Sequence, residues 1–172
     1  GPTTYKAEVG ARWLAPYCGR VDPEKRVDVL LEVFTATGLP TDQKLVIIGD
    51  GLQRAQLTKR YGDDPRVIFT GPVYDDADKV HILQAADCFV LPSAVEGLSL
   101  ALLEAMACGA APVATDVGAD AAVVQGVGIT LPPRELEQDL RAALLTLAGQ
   151  PDLCGQMGQA ARARIESDYN QQ

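Results

Sequence analysis

Short apolar runs alternate along this chain with segments whose apolar residues recur at helical spacing, and that alternation leaves few folds open. The runs "WLAPYC" (13–18), "KLVII" (44–48), "VIF" (67–69), "CFVL" (88–91), "PVAT" (112–115) and "GITL" (128–131) read as strands. Between them, 24–37 sets Val27, Leu30, Leu31 and Phe34 on one helical face, and 52–61, 75–85, 98–108, 134–147 and 151–168 read as further helices. "LVII" and "CFVL" carry no polar alternation, as expected of strands covered on both faces. The expected fold is therefore α/β: a single Rossmann-like domain with a doubly wound parallel sheet of about six strands flanked by helices. Ligands on such sheets bind at the carboxyl ends of the strands.

Composition narrows the function. A length of 172 residues fits one domain, 1–172, with enough chain to bury a core. No apolar run approaches the roughly 20 residues that span a bilayer. The net charge of −8 argues against nucleic acid, whose phosphates are held by clustered Lys and Arg, and against this surface lying on an anionic membrane. Cys18, Cys88, Cys108 and Cys154 are widely spaced, three of them in or beside apolar stretches, and read as buried reduced thiols. His81 has no companion at ligand spacing, so no His-based metal site is expected. Nothing in "GPTTYKAEVG" resembles a signal peptide; 1–10 read as a flexible or appended leader, with Gly1-Pro2 matching a protease scar.

Several segments carry polar groups to the expected strand ends. In "CGRVDPEKRVD", Gly19 turns the chain, Arg20 stands just past the strand end, and Lys25 lies near the start of the next helix. Two cations beside unpaired helix amides suit a phosphate; a solvated turn in which they pair with Asp22 and Glu24 is the competing reading. "IIGDGLQRAQL" places Arg54 where a dinucleotide fingerprint needs its third glycine, so Gly49 and Gly51 read as a structural turn. "RVIFTGPVYDD" ends a strand in Gly71, Pro72 and Val73, exposing backbone to a flat heterocycle or merely connecting two elements. Asp63 and Asp64 read as a solvated loop.

The strongest segment is "PSAVEGLSLALLEAMACG" (92–109). Glu96-Gly97 makes a turn, and the amides of Gly97, Leu98 and Ser99 are expected to stand unpaired at a helix start. Glu104 is a carboxylate among Leu102, Leu103, Ala105 and Met106, and such a group needs a hydrogen-bond partner, whether a ligand, a buried loop or a lysine.

Taken in order, "GRVDPEK", "LVIIGDG", "VIFTGPV", "ADCFVLPSAVEGLSLALLEAMACG", "PVATDVG" and "ITLPP" resemble the C-terminal half of a retaining GT-B glycosyltransferase of the group 1 or family 4 type. The resemblance covers nearly the whole chain, and the E-x7-E spacing of Glu96 and Glu104 is its most specific part. It implies an enzyme that moves a sugar from a nucleoside diphosphate sugar to an acceptor with retention and without cofactor or metal. Arg20 and Lys25 would neutralise the departing diphosphate, Glu96 would orient the sugar, and Glu104 would accept from the ribose hydroxyls. Gly97, Leu98, Ser99 and Gly19 would approach the donor, and the backbone near Val73 would meet the base. The acceptor would be bound by an N-terminal domain absent from this chain, so that the domain by itself would transfer little sugar. The implied setting is cytoplasmic, including the cytoplasmic face of a membrane through peripheral contact of the full-length enzyme.

The chain departs from the family pattern in four places. Leu98-Ser99 stands for the usual Phe-Gly, Ala119 for a glycine, Ala122 for a glutamate, and Arg26 for the glycine that commonly follows the basic-pair lysine. Two other functions compete: a stand-alone nucleotide-sugar-binding or regulatory module without catalysis, and another GT-B enzyme such as a non-hydrolysing epimerase or a glycogen phosphorylase. The 96–109 segment fits group 1 transferases better than the latter pair.

Overall fold

A computed structural model describes residues 3–94 and 97–169. The strands are β1 (Trp13–Cys18), β2 (Gln43–Ile48), β3 (Val67–Gly71), β4 (Cys88–Leu91), β5 (Ala111–Thr115) and β6 (Ile129–Leu131). Helices α1 (Tyr5–Val9), α2 (Val27–Thr35), α3 (Arg54–Tyr61), α4 (Asp76–Gln84), α5 (Leu100–Ala107), α6 (Gly118–Val124), α7 (Leu136–Gly149) and α8 (Pro151–Tyr169) connect and cover them. All strand pairs are parallel.

The six strands form two hydrogen-bonded trios, β1-β2-β3 and β4-β5-β6, that pack side by side along β1 and β4. Odd-numbered amides of β1 point at the β2 side, as Trp13 N–H to Asp42 O (3.3 Å) and Gly19 N–H to Ile48 O (3.0 Å) establish. Even-numbered positions therefore face β4. Leu14 O accepts from Asp87 N–H (2.9 Å) and Leu14 N–H donates to the Asp87 carboxylate (2.8 Å), but the next position on that side is Pro16, which has no N–H to give. The ladder stops there. The seam is also where the connections reverse direction, the place at which a doubly wound sheet opens a crevice for ligands.

The two faces of β1 are buried in different clusters. Trp13, Ala15 and Tyr17 join the large core with Phe34, Leu83, Phe89, Leu102, Met106 and Leu144. Leu14 joins Val46, Ile48 and Ile82, with Tyr5, Val9 and Ala11 packed over them. Residues 5–9, expected within a loose leader, thus form a helix seated on this second cluster. Thr4 caps it through the Ala7 amide, Gly10 ends it in the left-handed conformation, Lys6 reaches Asp87 (2.8 Å) and Glu8 meets His81 Nε2 (2.8 Å). α6 is likewise absent from the expected elements: it is seven residues long, starts at a glycine and has no side-chain cap.

Asp63 is exposed as expected, but Asp64 is not merely solvated. It binds Arg66 (2.7 Å), whose guanidinium also donates to Thr35 O and Leu39 O and lies 5.6 Å from the Phe34 ring centroid, tying the end of α2 to β3. All four cysteines are free thiols; Cys88 and Cys154 are buried, whereas Cys18 and Cys108 are only partly so. Among the described residues no helix is long and apolar enough to cross a membrane.

Candidate functional site

The loops after β1 and β2 are built as one unit. Gly19 and Val21 donate to Ile48 O and Asp50 O, and Gln53 N–H returns to Val21 O (2.9 Å). The glycines are required by closeness: a Cβ on Gly49, whose φ is +142°, would fall 1.9 Å from Gly19 O, and one on Gly51 would fall 2.5 Å from Val21 O. "GDG" is therefore the structural turn its missing third glycine suggests, and it buttresses the basic loop.

On that buttress, the hydroxyl of fully buried Tyr17 donates to Arg20 O (2.6 Å). The Arg20 guanidinium donates to Asp22 through Nε (3.1 Å) and Nη2 (3.4 Å). The Leu52 amide, and after it the Arg20 guanidinium, hold the Asp22 carboxyl below the ordinary carboxylate range. Arg20 keeps 60% of its side chain exposed, so its remaining donors are accessible to an anion. Lys25 closes a 3-10 turn (Pro23–Lys25) and lies within the field of the same Asp22 carboxylate. Of the competing solvated turn, the structure shows the Arg20 bond to Asp22 and the nearness of Lys25 to that carboxylate, and it sets both cations on the loop after β1.

Arg26, the next residue, has φ +56°, the left-handed conformation that favours glycine. The sequence thus carries an arginine in a backbone conformation that glycine adopts without strain.

The loop after β4 is fastened to this one, since Ala94 N–H donates to Glu24 O (2.8 Å). Glu96 lies outside the described residues. Gly97 and Leu98 are exposed, and α5 begins at Leu100 with Ser99 as its cap, its hydroxyl accepting from Leu102 N–H (3.2 Å). The expectation that the Ser99 amide stands unpaired is corrected: it donates to Asp120 Oδ1 (2.8 Å), a carboxylate only 1% exposed. The sequence reading passed over Asp120 because α6, which carries it, was not foreseen; a lone carboxylate in "GADAAVV" was the available signal.

Glu104 is a half-exposed carboxylate on the face of α5 that meets α4, rather than a group sealed in the core. Its partner is Lys79 of α4, with Nζ at 3.2 Å from Oε1 and 3.1 Å from Oε2. Cys18, the last residue of β1, lies in the field of both; burial is the main cause that raises its pKa, with Lys79 opposing and Glu104 adding to the rise. Val73 follows Gly71 (φ +70°) and packs against the second cluster, beside the exposed Tyr74. Gly19, Arg20 and Lys25 thus lie on the loop that leaves the carboxyl end of β1, Glu104 acts on Cys18 at that end, and Val73 and the α5 turn follow β3 and β4 at the same edge. Among the described residues no three His, Cys, Asp or Glu side chains converge as a metal-holding group.

Residues 14–150 match the model of the family described as Glycosyl transferases group 1. The chain belongs to that family. Its relatives include a GDP-mannose-dependent monoacylated alpha-(1-6)-phosphatidylinositol monomannoside mannosyltransferase of Corynebacterium glutamicum, 30% identical over 88% of this chain and 42% of the relative. A glycogen synthase of Mycobacterium tuberculosis is 31% identical over 91% of this chain and 39% of the relative. The chain spans between 29% and 42% of the length of the first curated relatives it matches. Among solved structures, the C-terminal domain of a glycosyl transferase group 1 family protein (LpcC) from Francisella tularensis superposes with a TM-score of 0.81 at 26% identity, covering 94% of this chain and 88% of that one. HepE of Anabaena, solved with UDP, gives 0.79 at 23% identity over 94% of this chain and 46% of that one. The fold is the Rossmann-like C-terminal half of a GT-B glycosyltransferase.

Proposed function

We propose that this chain is the donor-binding half of a glycosyltransferase that moves a sugar from a nucleoside diphosphate sugar to an acceptor with retention of anomeric configuration and without a metal ion. The observation that carries this reading is the joining of two loops that lie some 70 residues apart in sequence: the basic turn holding Arg20 and Lys25 is bonded to the turn before α5 through Ala94 and Glu24.

In the proposed reaction, negative charge builds on the departing diphosphate as the bond to the sugar lengthens. Arg20 has free guanidinium donors for it, and Lys25 brings a second cation on the same loop. Fixed cations and helix amides stabilise such charge more in the transition state than in the ground state, the requirement for catalysis rather than mere binding. Glu104 accepts from the ribose hydroxyls, the backbone near Val73 meets the base, and Gly97, Leu98 and Glu96 adjoin the sugar. Ser99 contributes by capping α5, its amide being taken by Asp120. The acceptor belongs to the part of the enzyme that precedes this half, so the isolated chain binds the donor and transfers little sugar.

Calorimetric titration of the chain with UDP, GDP and ADP tests this. One of the three is expected to bind in the micromolar to millimolar range, and Glu104→Ala to lose most of that affinity. Binding of none of them, or undiminished binding by the variant, would overturn the reading, as would robust transfer by the isolated chain.

A further inference from the structure

The pairing of Lys79 with Glu104 differs from an ordinary surface ion pair. The residues are 25 positions apart and join two helices in contact, α4 and α5, near Cys18 at the end of β1. Lys79 is largely covered, with 20% of its side chain exposed against 36% for Glu104. Burial works against the ammonium, but the hydrogen bond and charge of Glu104, followed by smaller contributions from Cys18 and Asp76, leave the lysine pKa above its ordinary value. Asp76 is the other acid near Nζ, but it stands 3.9 Å away with 96% of its side chain in water, so it competes weakly. Lys79 is thus committed to Glu104.

A carboxylate offers about four acceptor positions, and the lysine contacts one oxygen at 3.2 Å and the other at 3.1 Å. Acceptor capacity remains on both. A glutamate without such an anchor would have to lose the freedom of its long side chain when a ligand arrives, and that ordering counts against affinity.

We propose that Lys79 is a positioning residue for nucleotide binding: it fixes the Glu104 carboxylate in place and leaves its remaining acceptor positions for the ribose hydroxyls of the donor. This rests on the ribose role of Glu104 in the proposed function. Lys79 acts through Glu104 and not by attracting the diphosphate, which sets it apart from Arg20 and Lys25.

The test uses whichever of UDP, GDP and ADP binds the wild-type chain most tightly, together with its 2′-deoxy counterpart, titrated into wild type, Lys79→Met, Lys79→Arg, Glu104→Ala and the Lys79→Met/Glu104→Ala double variant. Lys79→Met is expected to weaken the ribonucleotide about five- to tenfold and to erase most of the preference for it over the 2′-deoxy form. Lys79→Arg is expected to restore both, which a loss of fold in Lys79→Met would not predict. In the Glu104→Ala background, Lys79→Met is expected to change affinity by less than about twofold, because two residues acting through one interaction are not additive. Wild-type affinity in Lys79→Met overturns the inference, as does an equal loss for ribo and 2′-deoxy ligands, or a loss that persists without Glu104. In each of those cases a strong loss in Glu104→Ala alone leaves the ribose role of Glu104 standing, whereas an inert Glu104→Ala, or a wild-type chain that binds none of the three, removes both.

Discussion

The amide of Ala94 donates to the carbonyl of Glu24 over 2.8 Å, fastening the loop that follows β4 to the basic turn that follows β1. The two loops are thus set as a pair, and under the proposed function the cations from one and the α5 start from the other would need little rearrangement to meet the donor diphosphate.

Arg20 should then be read by the phosphates alone. Arg20→Ala is expected to weaken a nucleoside diphosphate about tenfold or more while leaving the parent nucleoside within twofold, since only the former supplies an anion for a charge-assisted bond. Paired calorimetric titrations check this, and equal losses would remove Arg20 from phosphate binding.

Gly49 should tolerate no side chain. With φ at +142° and Gly19 O only 1.9 Å from where a Cβ would stand, Gly49→Ala must displace the buttress under Arg20. A loss of at least about 2 kcal/mol is expected in urea unfolding. Nucleotide affinity should fall in whatever fraction still folds.

Arg26 should prove replaceable with profit. Its left-handed φ of +56° costs a non-glycine residue roughly 1–2 kcal/mol, of which glycine's extra freedom in the unfolded chain returns about half. Arg26→Gly is expected to raise the thermal midpoint by about 1–4 °C. A lowered midpoint would mean that the arginine side chain contributes more than its backbone costs.

Asp64 should make part of the stability depend on acid. Its hydrogen bonds to Arg66 hold its folded pKa below the ordinary value, so the stabilisation is present above the unfolded pKa of about 3.9 and fades as pH falls through the lower folded one. Asp64→Asn is expected to be less stable than wild type at pH 7, with the difference shrinking as the pH drops below about 4. Urea midpoints across pH 2–7 read it directly, and a gap independent of pH would refute the ionic role.

The sequence by itself determined the six strands, because each is a compact run of apolar residues whose burial needs no distant partner to be foreseen. Trp13–Cys18 and Cys88–Leu91 coincide with their expected limits, and the other four differ by one or two residues at their ends. It also singled out Arg20, Lys25 and Glu104 as candidates, since charges beside glycine turns and inside apolar helices stand out from their surroundings. Tertiary structure alone decided what those charges meet. Lys79 lies 25 residues before Glu104, on a helix whose own pattern gives no hint of the pairing. Asp120 takes the Ser99 amide from a helix too short and uncapped to announce itself. The break in the ladder at Pro16 depends on which side of β1 faces β4, a parity that only the register with β2 fixes. Periodicity is a local property of the chain, whereas the partner of a charge or of an amide is chosen by the packing of elements far apart in sequence.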